Sequence, residues 1–487
     1  MAWPLVLALL AAAGRGAQGP SPAIHDARAN ALVTLDGEHP WSFDGDRAAW
    51  ERRRERLRRQ VLVSAGLWPL GERTPPKALV TGEIDRGDYR VRKLALETRP
   101  GFWLTGNLYV PARLDGPAPA VLSPHGHWTN GRFYERSDEE VQSELASGAE
   151  RDEAAARYPL QARCAELARL GCIVLHYDML GYADATQLSH DADFTDLESI
   201  LWGESHLGLQ TFNSLRALDW LASLPEVDPA RIGVTGASGG GTQTFLLCAI
   251  DERPAAAFPA VMVSSAMQGG CVCENAPHLR VGTSNVEIAA LFAPRPLAMS
   301  AANDWTLDVE RKSLPAMKRV WSLYEAPEHV TARCWPEYGH NYNVHARESM
   351  YAWFNAHLGL GAKEPIRERP FLPLESAELA VFDAVHPRPQ GALEREALKA
   401  VLRAEAAQRA AGLSPSGAAK PGRLRTVVGG ALEVLVHTSL AEVAPVRARE
   451  VAPGAPGQRE LVLTPADGRG EIAASTSRTR SASSERL

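Results

Sequence analysis

A chain of 487 residues, 45% hydrophobic and 23% charged, has the composition of a soluble globular protein and is too long for one small core. Its formal net charge of −6 and pI of about 6.2 leave no global basic footprint, which speaks against a nucleic-acid partner and leaves small neutral substrates open. Six cysteines are too few, at this length, for a disulfide framework.

Residues 3–13 form an apolar run followed by small residues, the pattern of a secretory signal over 1–19. The run is too short to span a bilayer and implies a secreted or periplasmic protein. Residues 20–88 read as a helical extension, in which 46–67 sets Trp50, Leu57 and Val61 at helical spacing beside a solvated arginine-rich face. Segments 89–97 and 103–110, joined at Arg99-Pro100-Gly101, predict a hairpin at a sheet edge. From 89 to 360 strands and helices alternate, which predicts an α/β domain with a mostly parallel central sheet and helices on both faces. Its strands fall at 120–123, 172–178, the run into Ala237, 260–265, 296–301 and 330–335. Its helices fall at 160–170, 207–224, 242–250, 309–324 and 347–358.

The connection starting at Thr129, acidic at Asp138, Glu139, Glu140, Glu144 and Glu150, is long enough to read as a lid or binding loop. Residues 361–440 make a proline-marked extension with one helix at 393–411. Segments 424–438 and 460–464 are strand-capable. The Ala, Pro, Gly, Arg and Ser bias from Val443 gives 441–487 the character of a disordered tail or a further domain cut short.

The chemistry concentrates at Gly236-Ala237-Ser238-Gly239-Gly240, where a buried strand breaks into a helix with one serine at the break. The glycines remove β-carbons that would collide in so tight a turn. A free hydroxyl is a weak nucleophile at neutral pH and needs a base. His340, in the loop after strand 330–335, is the candidate. An imidazole must also be oriented by a carboxylate, for which Asp304, just past strand 296–301, is the candidate and Glu274 the rival; Asp308 reads as a helix-start residue. Oxyanion donors would be the amides of Gly239 and His127, with Trp128 and Trp305 lining the pocket. His125 reads as a loop-bracing residue and His176 as a packed one. Cys172, Cys248 and Cys334 read as small buried groups. Cys271-Val272-Cys273, the only close pair, lacks the second pair and the histidines that zinc would need, so no metal or organic cofactor is expected. A bridge from one of the two to a distant cysteine stays open.

The serine motif, the His125-Gly126-His127 loop, Asn303-Asp304-Trp305 and Gly339-His340, in the order Ser, Asp, His, together resemble the α/β-hydrolase superfamily over roughly 89–358. The segment from Gly101 to Pro111, leading into the His-Gly loop, is similar to the acetylxylan esterase and cephalosporin deacetylase group. That group usually carries glutamine where this chain has Gly239, and the long segment from Thr129 is a second departure. The resemblance implies acetylated carbohydrate as substrate, while the residues imply only an ester. A prolyl-oligopeptidase-like peptidase would need a propeller, for which the region before Tyr89 is too short and has no blade repeats. A catalytically silent hydrolase fold used for binding is the other alternative.

Overall fold

Nine strands build the main sheet: β1 (Lys77–Asp85), β2 (Tyr89–Arg99), β3 (Phe102–Pro111), β4 (Ala118–Pro124), β5 (Ile173–Tyr177), β6 (Val227–Ala237), β7 (Pro254–Ala260), β8 (Leu297–Ala302) and β9 (Val330–Trp335). In this computed structural model the described residues are 34–190, 192, 194–413, 421–437, 446–453, 458–465 and 472–477. The signal expected at 1–19 lies outside them. The chain divides into two units, Leu35–Arg409 and the combination of Met1–Thr34 with Ala410–Leu487.

The strand order is β1-β2-β3-β5-β4-β6-β7-β8-β9. β1, β2, β3 and β5 pair antiparallel in succession, and from β5 through β4, β6, β7, β8 and β9 every pairing is parallel. β4 and β5 are buried along their whole length. Strands covered by helices on both faces have no wet side, which is why they read as continuous apolar runs rather than as alternations.

The helices include α1 (Arg47–Ser64), α2 (Asp138–Ser147), α3 (Glu153–Arg157), α4 (Pro159–Arg169), α5 (His206–Leu221), α6 (Gly239–Ile250), α7 (Leu314–Ser322), α8 (Val344–Leu358) and α9 (Arg395–Ala411). α1 starts where the Asp46 carboxylate accepts the Ala49 N–H at 2.7 Å, and it buries Trp50, Leu57 and Val61. Its arginine face is not simply solvated. Arg53 donates to both oxygens of Glu287 at 2.8 Å, and Arg58 pairs with Glu252.

Four differences from the sequence reading have physical causes. β1 was not anticipated, because it is a largely exposed edge strand broken by a bulge between Val80 and Gly82. The strand after α6 is 254–260 rather than 260–265. Val-Met-Val has the stronger β propensity, but Val261 takes a φ of +45° and leaves the sheet, so the proline- and alanine-rich segment before it does the pairing. The helix expected from 309 opens with a wide turn, Val309–Ser313, before α7 begins. Residues 421–435, partly read as strand, are helical from Pro421, a residue preset for a first helical turn. In the second unit β10 (Val446–Pro453), β11 (Gln458–Pro465) and β12 (Ile472–Ser477) form an antiparallel sheet, of which only the 460–464 stretch was read as strand-capable.

Candidate active site

In a parallel sheet the carboxyl ends of the strands share one edge, and a crevice opens where the strand order reverses direction. Here the reversal lies between β4 and β6: the chain runs from β4 out to β5, then returns to place β6 on β4's other side. Ser238 follows β6 directly and His125 follows β4 directly.

Ser238 has φ +55° and ψ −125°, a conformation that costs a side-chain-bearing residue roughly 1–3 kcal/mol and that the surrounding packing must hold. Its N–H donates to Ala260 O on β7 at 3.1 Å, and α6 starts at the next residue. The β4 loop presses against this turn. A β-carbon on Gly126 would stand 2.6 Å from Ala237 O and 2.9 Å from the Ser238 Cβ, and one on Gly240 would stand 2.5 Å from Pro124 O. Neither position has room for a side chain, so these glycines set how closely loop and serine approach.

The loops after β8 and β9 meet. His340 Nδ1 lies 2.7 Å from Asp304 Oδ2, while the other Asp304 oxygen accepts the Thr306 N–H at 2.6 Å and its hydroxyl at 2.5 Å. The Asp304 carboxylate is nearly buried, with 6% of its side chain exposed against 30% for His340. Trp305 lays its ring 4.5 Å from the imidazole, centroid to centroid. Thr306 carried no recognisable sequence signal beyond its place two residues after an aspartate, a spacing that turns commonly use. Asp308 sits at the start of the turn leading to α7 and pairs with Arg311 and Lys312, in keeping with a helix-start role.

Glu274 is elsewhere. It is buried, accepts the Gly270 N–H at 2.7 Å and faces His127 Nδ1 at 3.8 Å; burial pushes its carboxyl pKa up. The fold therefore brings Asp304, and not Glu274, to His340.

In the β4 loop His125 is fully buried and braces its surroundings. Its Nε2 accepts the Met179 N–H at 3.0 Å, its Nδ1 faces Gly126 O at 2.8 Å, and burial holds the imidazole pKa down at about 3. His176 is likewise buried, with Nδ1 2.6 Å from Ser123 O. His127 is exposed, and its Nε2 approaches the sulfurs of both Cys271 and Cys273. Along the sequence that pair has neither a second cysteine pair nor a histidine beside it. The fold supplies two histidines, His127 and His190, so that part of the ground against zinc is removed. All six cysteines are free thiols, and the distant bridge left open for Cys271 or Cys273 is not formed. Cys334, read as buried, is half-buried.

Trp128 packs edge-on to Tyr134, with centroids 6.4 Å apart. Beyond it the long connection is mostly helical and fastened at several points. Arg132, 1% exposed, donates to both oxygens of Asp178 at 2.9 and 3.1 Å and to Asp184 at 2.6 Å, and it also bonds Asn107. Ser137 and Glu140 cap α2 reciprocally. Arg136 and Glu144 both bond Asn341, the residue after His340.

Sheet order, the strained serine turn and the covering helices define an α/β-hydrolase fold. Among solved structures the chain is similar to the methylesterase BT1017, at 27% identity and a TM-score of 0.62, over 76% of this chain and 78% of that one. It is also similar to an inferred acetyl xylan esterase from Bacteroides fragilis NCTC 9343, at 18% identity and a TM-score of 0.46, over 62% of this chain and 80% of that one. Among curated proteins, YtaP of Bacillus subtilis (strain 168), an inferred hydrolase, is 34% identical over 143 residues, which are 29% of this chain and 43% of that protein. This chain thus matches less than half the length of that relative. No family model matches the sequence. The chain has the scaffold of a hydrolase. Among the described residues no helix is long and apolar enough to cross a membrane.

Proposed function

We propose that the chain is a serine carboxylester hydrolase acting on esterified carbohydrate. The observation that carries this reading is the 2.7 Å contact between His340 Nδ1 and an Asp304 carboxylate itself held by Thr306, at the same sheet edge as the strained Ser238. In this reading Ser238 Oγ attacks the ester carbonyl while His340 Nε2 takes its proton, and Asp304 stabilises the imidazolium. The amides of Gly239 and His127 receive the negative charge that develops on the carbonyl oxygen. Collapse of the tetrahedral adduct expels the alcohol, protonated by His340. Water, activated by the same imidazole, then releases the acid and restores the serine. Trp128 and Trp305 flank the substrate.

Two ester types fit this chemistry. The resemblance to acetylxylan esterases favours an acetylated sugar, for which the acyl-enzyme is an acetyl group. The methylesterase neighbour favours the methyl ester of a sugar acid, for which methanol leaves first. Assaying both kinds of ester, with acetate and methanol as the products followed, separates them. Ser238→Ala should abolish hydrolysis of either kind and labelling by a fluorophosphonate probe while the protein stays folded. Full activity in that variant would reject the assignment. The apolar run at 3–13 supports export, and retention of Met1 in the mature protein would count against it.

A further inference from the structure

Four side chains beside Ser238 have no part in the chemistry just described. His127 comes from the loop after β4, His190 from the segment after β5, and Cys271 and Cys273 from the loop after β7. Their donor atoms all lie within 4.8 Å of one another. His127 Nε2 is 2.9 Å from Cys271 Sγ and 2.8 Å from Cys273 Sγ, the two sulfurs are 2.8 Å apart, and His190 Nε2 is 3.8 Å from Cys271 Sγ. A disulfide would need about 2.05 Å between the sulfurs. Two sulfurs and two ring nitrogens crowded at one point make a poor hydrogen-bonding group, since thiols are weak donors and weak acceptors.

The orientation of the rings gives the second clue. His190 Nδ1 lies 3.0 Å from Leu180 O, and His127 Nδ1 faces Glu274 at 3.8 Å. With the His190 Nδ1–H directed at the Leu180 carbonyl, its Nε2 lone pair points into the cluster, and His127 turns its Nε2 to the sulfurs with a carboxylate on the side of its other nitrogen. Carbonyl and carboxylate partners on the far nitrogen are how proteins orient metal-binding imidazoles. Gly239 completes the fit: a β-carbon there would stand 3.1 Å from His127 Cε1, so its absence leaves the imidazole its place.

From this geometry we infer that His127, His190, Cys271 and Cys273 bind one zinc ion. Two thiolates and two neutral imidazoles balance the charge of Zn²⁺, and sulfur–nitrogen donors in a tetrahedron select it over hard cations. Bonds of about 2.3 Å to sulfur and 2.0–2.1 Å to nitrogen would set the donors roughly 3.3–3.8 Å apart, so the sulfurs part by about 1 Å around the ion. Four protein ligands close the coordination shell and leave no position for substrate. The ion is a staple: it ties the loops after β4, β5 and β7 together next to the serine and fixes the segment that carries the His127 amide. Metal binding does not depend on the esterase reading, and it is measured without substrate.

The full chain, purified without chelators, should contain stoichiometric zinc by elemental analysis. A mercurial reagent that titrates its thiols should release the zinc as Cys271 and Cys273 react. Cys271→Ser with Cys273→Ser, and separately His190→Ala, should lose the metal, whereas Cys334→Ser keeps it. Circular dichroism reports whether each variant folds, and the mercurial titration of the unmodified chain stands even if none does. Two results overturn the inference: a chain that takes up no zinc on dialysis although both thiols are reduced, or a peptide mass showing Cys271 and Cys273 joined to each other.

Discussion

Two groups of side chains at the carboxyl edge of the sheet are held in opposite ways. The corner formed by the loops after β8 and β9 is local: Thr306 fixes Asp304 from two residues away, and Asp304 fixes one imidazole across neighbouring strands. The β4 side is assembled from afar, with Arg132 reaching Asn107, Asp178 and Asp184, and His127 meeting His190, Cys271 and Cys273. A local clamp sets the direction of one ring. A distributed one sets where whole loops stand. Damage to the first should therefore cost rate at little cost in stability, and damage to the second should cost both.

The sharpest test is Asp304→Asn, which keeps the shape and removes the charge. It should lower kcat on the order of 10³–10⁴-fold with an unchanged unfolding midpoint. A variant that melted early would dissolve the contrast. Next in size, Arg132→Met leaves Asp178 and Asp184 buried without their cation, which should cost about 3–5 kcal/mol in a denaturant titration. Stability within about 1 kcal/mol of the parent would mean that the connection stands without its anchor.

Thr306→Val removes one hydroxyl bond to a carboxylate, an interaction worth about 1.5–3 kcal/mol, and should appear in kcat rather than KM. The smallest effect concerns pH. His176 is held neutral by burial first and then by Arg163, His125 and Arg132, so its pKa lies well below the usual value in the folded protein. The unfolded chain takes up that proton near the ordinary histidine pKa. Stability is thus fully present above about pH 6.5 and declines as pH falls below it, by at most about 1.4 kcal/mol per pH unit for this group. His176→Gln should flatten that slope, and an unaltered slope would assign the acid sensitivity elsewhere.

Much of the sheet and of the β8–β9 corner could be read from the chain, because strand ends announce themselves. Val330–Trp335 falls at its expected bounds, and His340 and Asp304 follow strands whose apolar runs stop abruptly. Ser238 was legible for the same reason, with glycines marking the turn. What stayed hidden depends on contacts between distant segments. His190 sits in a loop with no periodicity, and nothing near Cys271 in sequence shows that two imidazoles approach it. Arg132 looks like any loop arginine until the fold buries it. β7 was misplaced because its pairing is settled by neighbours on both sides, against the preference of the residues themselves.

The connection from 129 to 158 has a kinetic consequence. Its arginine anchor lies in the core, its first helix is capped at both ends, and Arg347 grips Glu150 in a fully buried ion pair at its far end. Such a segment is masonry rather than a door. A sparingly soluble ester should be turned over on one smooth saturation curve, without the jump at the onset of droplets that marks enzymes uncovered by an oil–water boundary.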